Sequence, residues 1–178
     1  VELGKALDLI DTQASAIASG TRFYYLKNQA VLVEFALINF AFDLLGKEGF
    51  VPIIPPQMLK NEVARETGYY EGGDDDSFYL RDVPEVLIGT AEHSILAYHK
   101  DEILEEKDLP RRYVGFSTCF RREAGSYGKD VRGIFRVHQF DKVEMVSFTK
   151  PQDSKKEHLY FLSLEERMMK QLGIPYQV

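Results

Sequence analysis

Cys119-Phe120-Arg121-Arg122-Glu123-Ala124-Gly125-Ser126-Tyr127-Gly128-Lys129-Asp130-Val131-Arg132-Gly133-Ile134-Phe135-Arg136 runs through Val137 into His138-Gln139-Phe140-Asp141-Lys142-Val143-Glu144-Met145. β-Branched and aromatic residues flank a glycine-rich middle, which predicts a strand over 112–122, a loop over 125–133 and a second strand over 134–148. Together they make a long antiparallel hairpin. The alternation along the second strand is imperfect. Val137, Gln139, Asp141, Val143 and Met145 fall on one face, and His138, Phe140, Lys142, Glu144 and Val146 on the other. Both faces mix polar with apolar residues, whereas a half-buried structural strand separates them more cleanly. The strand is thus a candidate floor of a site; a partly exposed strand is the plain alternative.

Chemistry concentrates in the same stretch. Arg121, Arg122, Lys129, Arg132 and Arg136 crowd together in a chain whose net charge is −6. Guanidinium forks match phosphate and carboxylate, so the cluster suits an anionic ligand. A solvated hairpin with internal ion pairs would carry the same residues. Phe140 could stack on a base or fill a core. Glu144 could accept from an ammonium or hydroxyl group or stand as a surface carboxylate. Upstream, Thr90-Ala91-Glu92 could hold an amino group, or Thr90 could simply cap a helix over 91–99 with Glu92 in its first turn.

Working further outward, residues 30–45 read as a helix apolar on most sides, with Glu34, Asn39 and Asp43 as one narrow polar stripe. Such a helix is buried in a core or against a partner chain. Residues 50–56, rich in proline, read as an edge strand or a strand entering an interface. Residues 22–26, 78–80 and 86–88 read as short strands, 68–76 as a loop, and 101–107 as an acidic solvated segment. Residues 1–19 are partly helical, and residues 153–172 form an amphipathic helix stopped by Gly173. Helix, antiparallel strands, helix is the order of an α+β fold.

The 178 residues suit one domain. The acidic balance excludes a general polyanion binder, so any RNA contact must be local. A single cysteine, Cys119, excludes an internal disulfide and a cysteine-based zinc cage and points to a reducing cytoplasm. The four histidines show no ligand spacing, and no metal site is expected from them. The apolar stretch 30–45 is short for a bilayer, which needs about 20 residues, so no membrane segment is expected. Neither a GxGxxG nor a P-loop pattern is present.

Taken together, these stretches resemble class II aminoacyl-tRNA synthetases, specifically the seryl-tRNA synthetases of the bacterial and eukaryotic kind. Gly49-Phe50-Val51-Pro52-Ile53-Ile54-Pro55-Pro56, after its apolar helix, looks like the family's first motif. Thr90-Ala91-Glu92 looks like its serine-binding segment, and Phe120-Arg121-Arg122-Glu123 through Glu144 like its second motif. The likeness runs from about Arg22 to Val178 and implies an antiparallel sheet flanked by helices. It also implies roles. Arg121 would bind the ATP α-phosphate and the serine carboxylate. Glu123 would accept from the adenine amino group, Phe140 would stack under the ring, and Val137 would contact it through the backbone. Arg136 would hold the γ-phosphate. Thr90 and Glu92 would take the serine ammonium and Glu144 its hydroxyl. Lys129 and Arg132 would meet the tRNA acceptor end.

The implied cofactors are ATP and Mg²⁺, with the metal ligands beyond Val178. The implied partners are L-serine, tRNA(Ser) and a second copy held through residues 30–56. The family's third motif and its N-terminal coiled coil are not in the sequence, so a truncated catalytic domain, incomplete at its C-terminus, is expected. A ligase charging a carrier protein, or a non-catalytic paralogue that dimerises, are the rival expectations.

Overall fold

The computed structural model describes residues 1–68, 76–124 and 133–178. The expected loops at 68–76 and 125–133, with Lys129 and Arg132, fall almost wholly outside the described residues. Six helices and seven strands are described. They run α1 (Glu2–Ala6), β1 (Ile10–Asp11), α2 (Thr12–Ser19), β2 (Tyr25–Leu26), α3 (Gln29–Lys47), β3 (Val51–Ile53), β4 (Met58–Lys60) and α4 (Asn61–Glu66). There follow β5 (Glu85–Leu87), α5 (Ala91–Tyr98), β6 (Arg111–Phe120), β7 (Gln139–Phe148) and α6 (Ser154–Leu172).

The hairpin read from sequence is the centre of the fold. β6 and β7 pair antiparallel over ten residues each, from Arg111 opposite Phe148 to Phe120 opposite Gln139. β7 begins at Gln139 rather than at residue 134. Ahead of it the chain bends across the end of β6, where the Arg121 N–H donates to the His138 carbonyl at 2.9 Å. β3 lies on the outside of this sheet and pairs with β6 in parallel, Val51 opposite Tyr113 and Ile53 opposite Gly115. The sheet is therefore mixed where an antiparallel one was expected. Pro52 is tolerated because an edge strand need not donate from both sides.

Two other expected strands shrink. Of residues 22–26 only Tyr25 and Leu26 pair, with β1, because Arg22 sits at φ 65°. Of residues 78–80 only Tyr79 makes a bridge, to Val86. β4 and α4 were not foreseen.

The two faces of β7 are packed around residues 143–146, while Gln139 and Asp141 at its start are exposed. Val114, Val143 and Met145 pack with Leu44, Leu45 and Phe50 beneath α3 and α6. Leu45 is 1% exposed, and burying such a side chain contributes about 2 kcal/mol. On the opposite face Tyr113 and Val146 pack against Ala91 and Ile95 of α5. The Arg112 guanidinium, on the α6 side, makes two bonds to Glu157, and Ser147 Oγ donates to the same carboxylate at 3.2 Å. α6 stops where expected, at Gly173 in the left-handed region (φ 66°), and Ile174 N–H closes back on the Met169 carbonyl at 3.0 Å.

α3 corrects one expectation. It has 19 residues rather than the span 30–45, and by length and composition alone it could cross a membrane. Only Ala41, Leu44 and Leu45 are buried, while Leu32, Val33 and Phe35 are more than half exposed. Its C-terminal half is sheet-packed and its N-terminal half presents bare apolar surface.

Candidate active site

α5 starts where its sequence says it should. Thr90 is extended, and its hydroxyl accepts from the Glu92 N–H at 3.2 Å, the usual N-cap bond. The same hydroxyl donates to Glu144 Oε2 on β7 at 2.9 Å. One oxygen thus ends the helix and touches the sheet. Lys142, two residues back on the same face of β7, pairs with the same Glu144 Oε2. The Glu92 side chain is exposed at the helix start; its backbone, not its carboxylate, joins the contact.

Arg121 follows directly on β6. Its Nε donates to the Gly89 carbonyl at 3.1 Å, and its guanidinium lies 5.3 Å from the centroid of the Phe140 ring. His93, buried on α5, is held neutral, its pKa lowered to about 4. Burial is the main cause, with the positive charges of Lys142 and Arg121 adding to it and the Glu144 charge opposing. Thr90, His93, Arg121, Lys142 and Glu144 therefore share one electrostatic neighbourhood under the first turn of α5. Burial pushes the Cys119 thiol up, so it is no thiolate nucleophile.

A second group sits at the hairpin's open end. Arg136 Nη1 donates to Glu123 Oε2 at 2.7 Å. Glu123 has φ 54°, a strained conformation for a residue with a side chain. It is held there by neighbours: Arg22 Nη1 donates to its carbonyl at 3.0 Å, and the next N–H, that of Ala124, donates to Asp76 Oδ1 at 3.2 Å. Val137, next to Arg136 in the chain, is buried, 6% exposed.

Sequence reading missed four contributors. Lys142 stands in the deciding stretch with no role of its own; its offset of two residues from Glu144 on a strand was the available signal. His93 and Gly115 looked like filler. Arg22, far away in the chain, bore no signal at all. Among the described residues no three His, Cys, Asp or Glu side chains come together as a metal site. The described residues therefore do not fit a resident Mg²⁺.

Residues 81–178 match the family model for the tRNA synthetase class II core domain (G, H, P, S and T). The chain belongs to that family. This class II core is similar to the serine–tRNA ligase of Acidothermus cellulolyticus, 49% identical over 178 residues, and to that of Dictyoglomus thermophilum, 46% identical over 179 aligned residues. All of this chain is covered, but only 42% of each relative, so the chain spans less than half of their length. Among solved structures it superposes on the seryl-tRNA synthetase from Pyrococcus horikoshii complexed with ATP. The TM-score is 0.94 and the identity 44%, over 98% of this chain and 39% of that one. The cytoplasmic serine–tRNA ligase from Naegleria fowleri in complex with AMP gives a TM-score of 0.90 at 35% identity, covering 98% of this chain and 41% of that one. The α+β class II fold expected from sequence is therefore that of the chain.

Proposed function

We propose that this chain carries the serine pocket and part of the ATP site of a serine–tRNA ligase. In the whole protein, L-serine and ATP give seryl-adenylate and pyrophosphate, and the seryl group then passes to tRNA(Ser). The observation that carries the reading is the Thr90–Glu144 hydrogen bond with Arg121 beside it. It brings together an acceptor for a hydroxyl, a hydroxyl near an amino group, and a fork for a carboxylate. The ATP and AMP complexes of the two structural relatives support it.

In this reading the serine ammonium lies toward Thr90, with the exposed Glu92 carboxylate swinging in to accept from it, and the serine hydroxyl donates to Glu144. A pocket built to accept that proton rejects alanine, because the acceptor is then left unpaired. Arg121 leaves the Phe140 face when adenine stacks there and takes the serine carboxylate and α-phosphate. Arg136 exchanges Glu123 for the γ-phosphate, which frees Glu123 for the adenine amino group, with the Val137 backbone alongside. A serine carboxylate oxygen then attacks the α-phosphorus as the bond to pyrophosphate breaks. No side-chain nucleophile is needed. Positioning and neutralisation of charge by Arg121 do the work. In the second step a terminal tRNA hydroxyl attacks the seryl carbonyl and AMP leaves. Lys129 and Arg132 are assigned to the acceptor end, and Mg²⁺ to groups beyond those described.

The bare apolar face of α3 and the adjoining Val51 and Ile54, 54% and 74% exposed, fit a second copy of the chain held through residues 30–56. A cavity of about 470 Å³ lined by Val33, Leu37 and Val143 with Glu34 and Asp141 lies along that face. Light scattering at twice the chain mass is expected. The same reading places the protein in the cytoplasm.

The deciding experiment is serine-dependent exchange of labelled pyrophosphate into ATP, with Arg121→Ala as control and alanine and threonine as competitors. Exchange that requires Arg121 supports the reading. Absence of both exchange and calorimetric serine binding removes it and favours a non-catalytic paralogue.

A further inference from the structure

Lys142 is exposed enough to be seen as a surface lysine, yet its ammonium is spent on Glu144. Its side chain is 29% exposed and that of Glu144 24%, so the pair sits at the edge of the pocket rather than in bulk solvent. Two contacts of the carboxylate fall on one atom, Oε2: the Lys142 ammonium from the same strand and the Thr90 hydroxyl from α5. Cross-strand neighbours cannot do this job. Residue 115, directly opposite Glu144, is glycine, and residue 117, opposite Lys142, is a fully buried serine. An unbraced glutamate has three rotatable bonds, and ordering it costs rotamer entropy.

We propose that Lys142 is a positioning residue for substrate choice. Paired with Oε2 and opposed by Thr90, it locks the Glu144 carboxylate so that its other oxygen is presented to the hydroxyl of the amino-acid substrate. Lys142 touches no substrate atom in this scheme and acts through Glu144. This role rests on the serine pocket proposed above and adds the residue that sets its orientation.

The test is isothermal calorimetry with L-serine and, separately, with ATP, on the chain and on Lys142→Met, Lys142→Arg, Glu144→Gln and the Lys142→Met/Glu144→Gln double variant. Serine affinity should fall about tenfold in Lys142→Met, the size expected for loosening one hydrogen bond to a charged group. Lys142→Arg should restore most of it, and ATP affinity should not change. In the Glu144→Gln background, Lys142→Met should cost nothing further, because the two act as one unit. Unchanged serine affinity in Lys142→Met overturns the proposal, and so does additivity in the double variant. A loss confined to ATP overturns it too, since the ammonium would then serve a phosphate. Should Lys142→Met fail to melt cooperatively, Lys142→Gln, isosteric enough for the strand, takes its place with the same expected loss. If the parent chain binds ATP but no serine at all, it is the pocket assignment that falls, and the Lys142 role falls with it.

Discussion

Gly115 lies directly opposite Glu144 in the β6–β7 register, and a Cβ placed on it would come within 2.5 Å of Ile95 Cδ1 and 3.3 Å of the Ala91 Cβ. The missing side chain is what lets α5 settle onto the sheet, so that Thr90, at the head of that helix, reaches Glu144. Gly115→Ala pushes α5 outward at the point where the pocket is built. Overpacking of this kind costs about 1 to 3 kcal/mol. The expected outcome is a lower Tm together with weaker serine binding. Gly46→Ala, where an added Cβ meets nothing, should leave serine binding unchanged.

Thr90 serves two ends at once, and its substitutions should separate them. Thr90→Val keeps the shape, loses the cap bond and leaves Glu144 held by Lys142 alone. Loss of a cap hydroxyl costs about 1 kcal/mol of stability, and serine affinity should fall beyond what that loss explains. Thr90→Ser retains the oxygen and should restore both. Chemical denaturation and calorimetry on the three proteins decide the matter; equal serine affinity in Thr90→Val would remove the hydroxyl from the pocket.

The Arg112–Glu157 pair ties the central strand to α6. Glu157 is 8% exposed, and the Arg112 guanidinium also lies 4.7 Å from the centroid of the Tyr160 ring. Hydrogen bonding to Arg112 holds the Glu157 carboxyl below its ordinary range, with burial opposing. A depressed carboxylate contributes stability that is present above its unfolded pKa and disappears as pH falls through the folded one. Glu157→Ala should cost about 3 kcal/mol at pH 7, because it strands a guanidinium in a partly buried site. The variant should also lose part of the acid sensitivity that sets in as pH falls through and below the usual carboxylate range, measured by urea melts from about pH 6 down to about pH 2.

His93 gives a second, separable pH effect. With its pKa lowered to about 4 in the folded chain, it stays neutral where an unfolded histidine takes up a proton. The unfolded state then binds more protons between the ordinary histidine range and about 4, so stability falls as pH drops through that window and levels off below it. His93→Gln should flatten the Tm profile there while leaving the lower, Glu157-dependent limb intact. An unchanged slope would mean that His93 charges freely in the folded state.

Glu34 carries the opposite sign. Burial, the neighbouring Asp141 charge and a hydrogen bond to that carboxylate all raise its pKa. A raised carboxyl contributes stability that is complete below its unfolded pKa and is lost as pH rises through the folded one. Glu34→Gln keeps the hydrogen bond without the charge and should raise stability at neutral pH relative to the parent. Since Glu34 lines the apolar face of α3, sedimentation of the same variant reports whether the two carboxylates also weaken self-association there.

Sequence by itself determined the long central hairpin, the start of α5 at Thr90 and the stop of α6 at Gly173, because these depend on turn residues, caps and periodicity within a few positions. It also determined which residue types were available as acids, bases and forks, and the run from Phe120 to Glu144 was enough to suggest the family. The tertiary structure alone decided which of them meet. Thr90 and Glu144 stand 54 positions apart, and nothing local tells a threonine that its capping oxygen will also donate to a strand. Only packing turned Glu92 outward, set Arg22 against the Glu123 carbonyl and made a glycine the seat of α5. The mixed polarity of β7 marked it as a candidate floor of a site without saying which side would carry it. Around residues 143–146 the strand packs on both sides, so its pattern alone does not mark the face of the site, and the side on which Lys142 and Glu144 stand became visible only when α5 was laid over them.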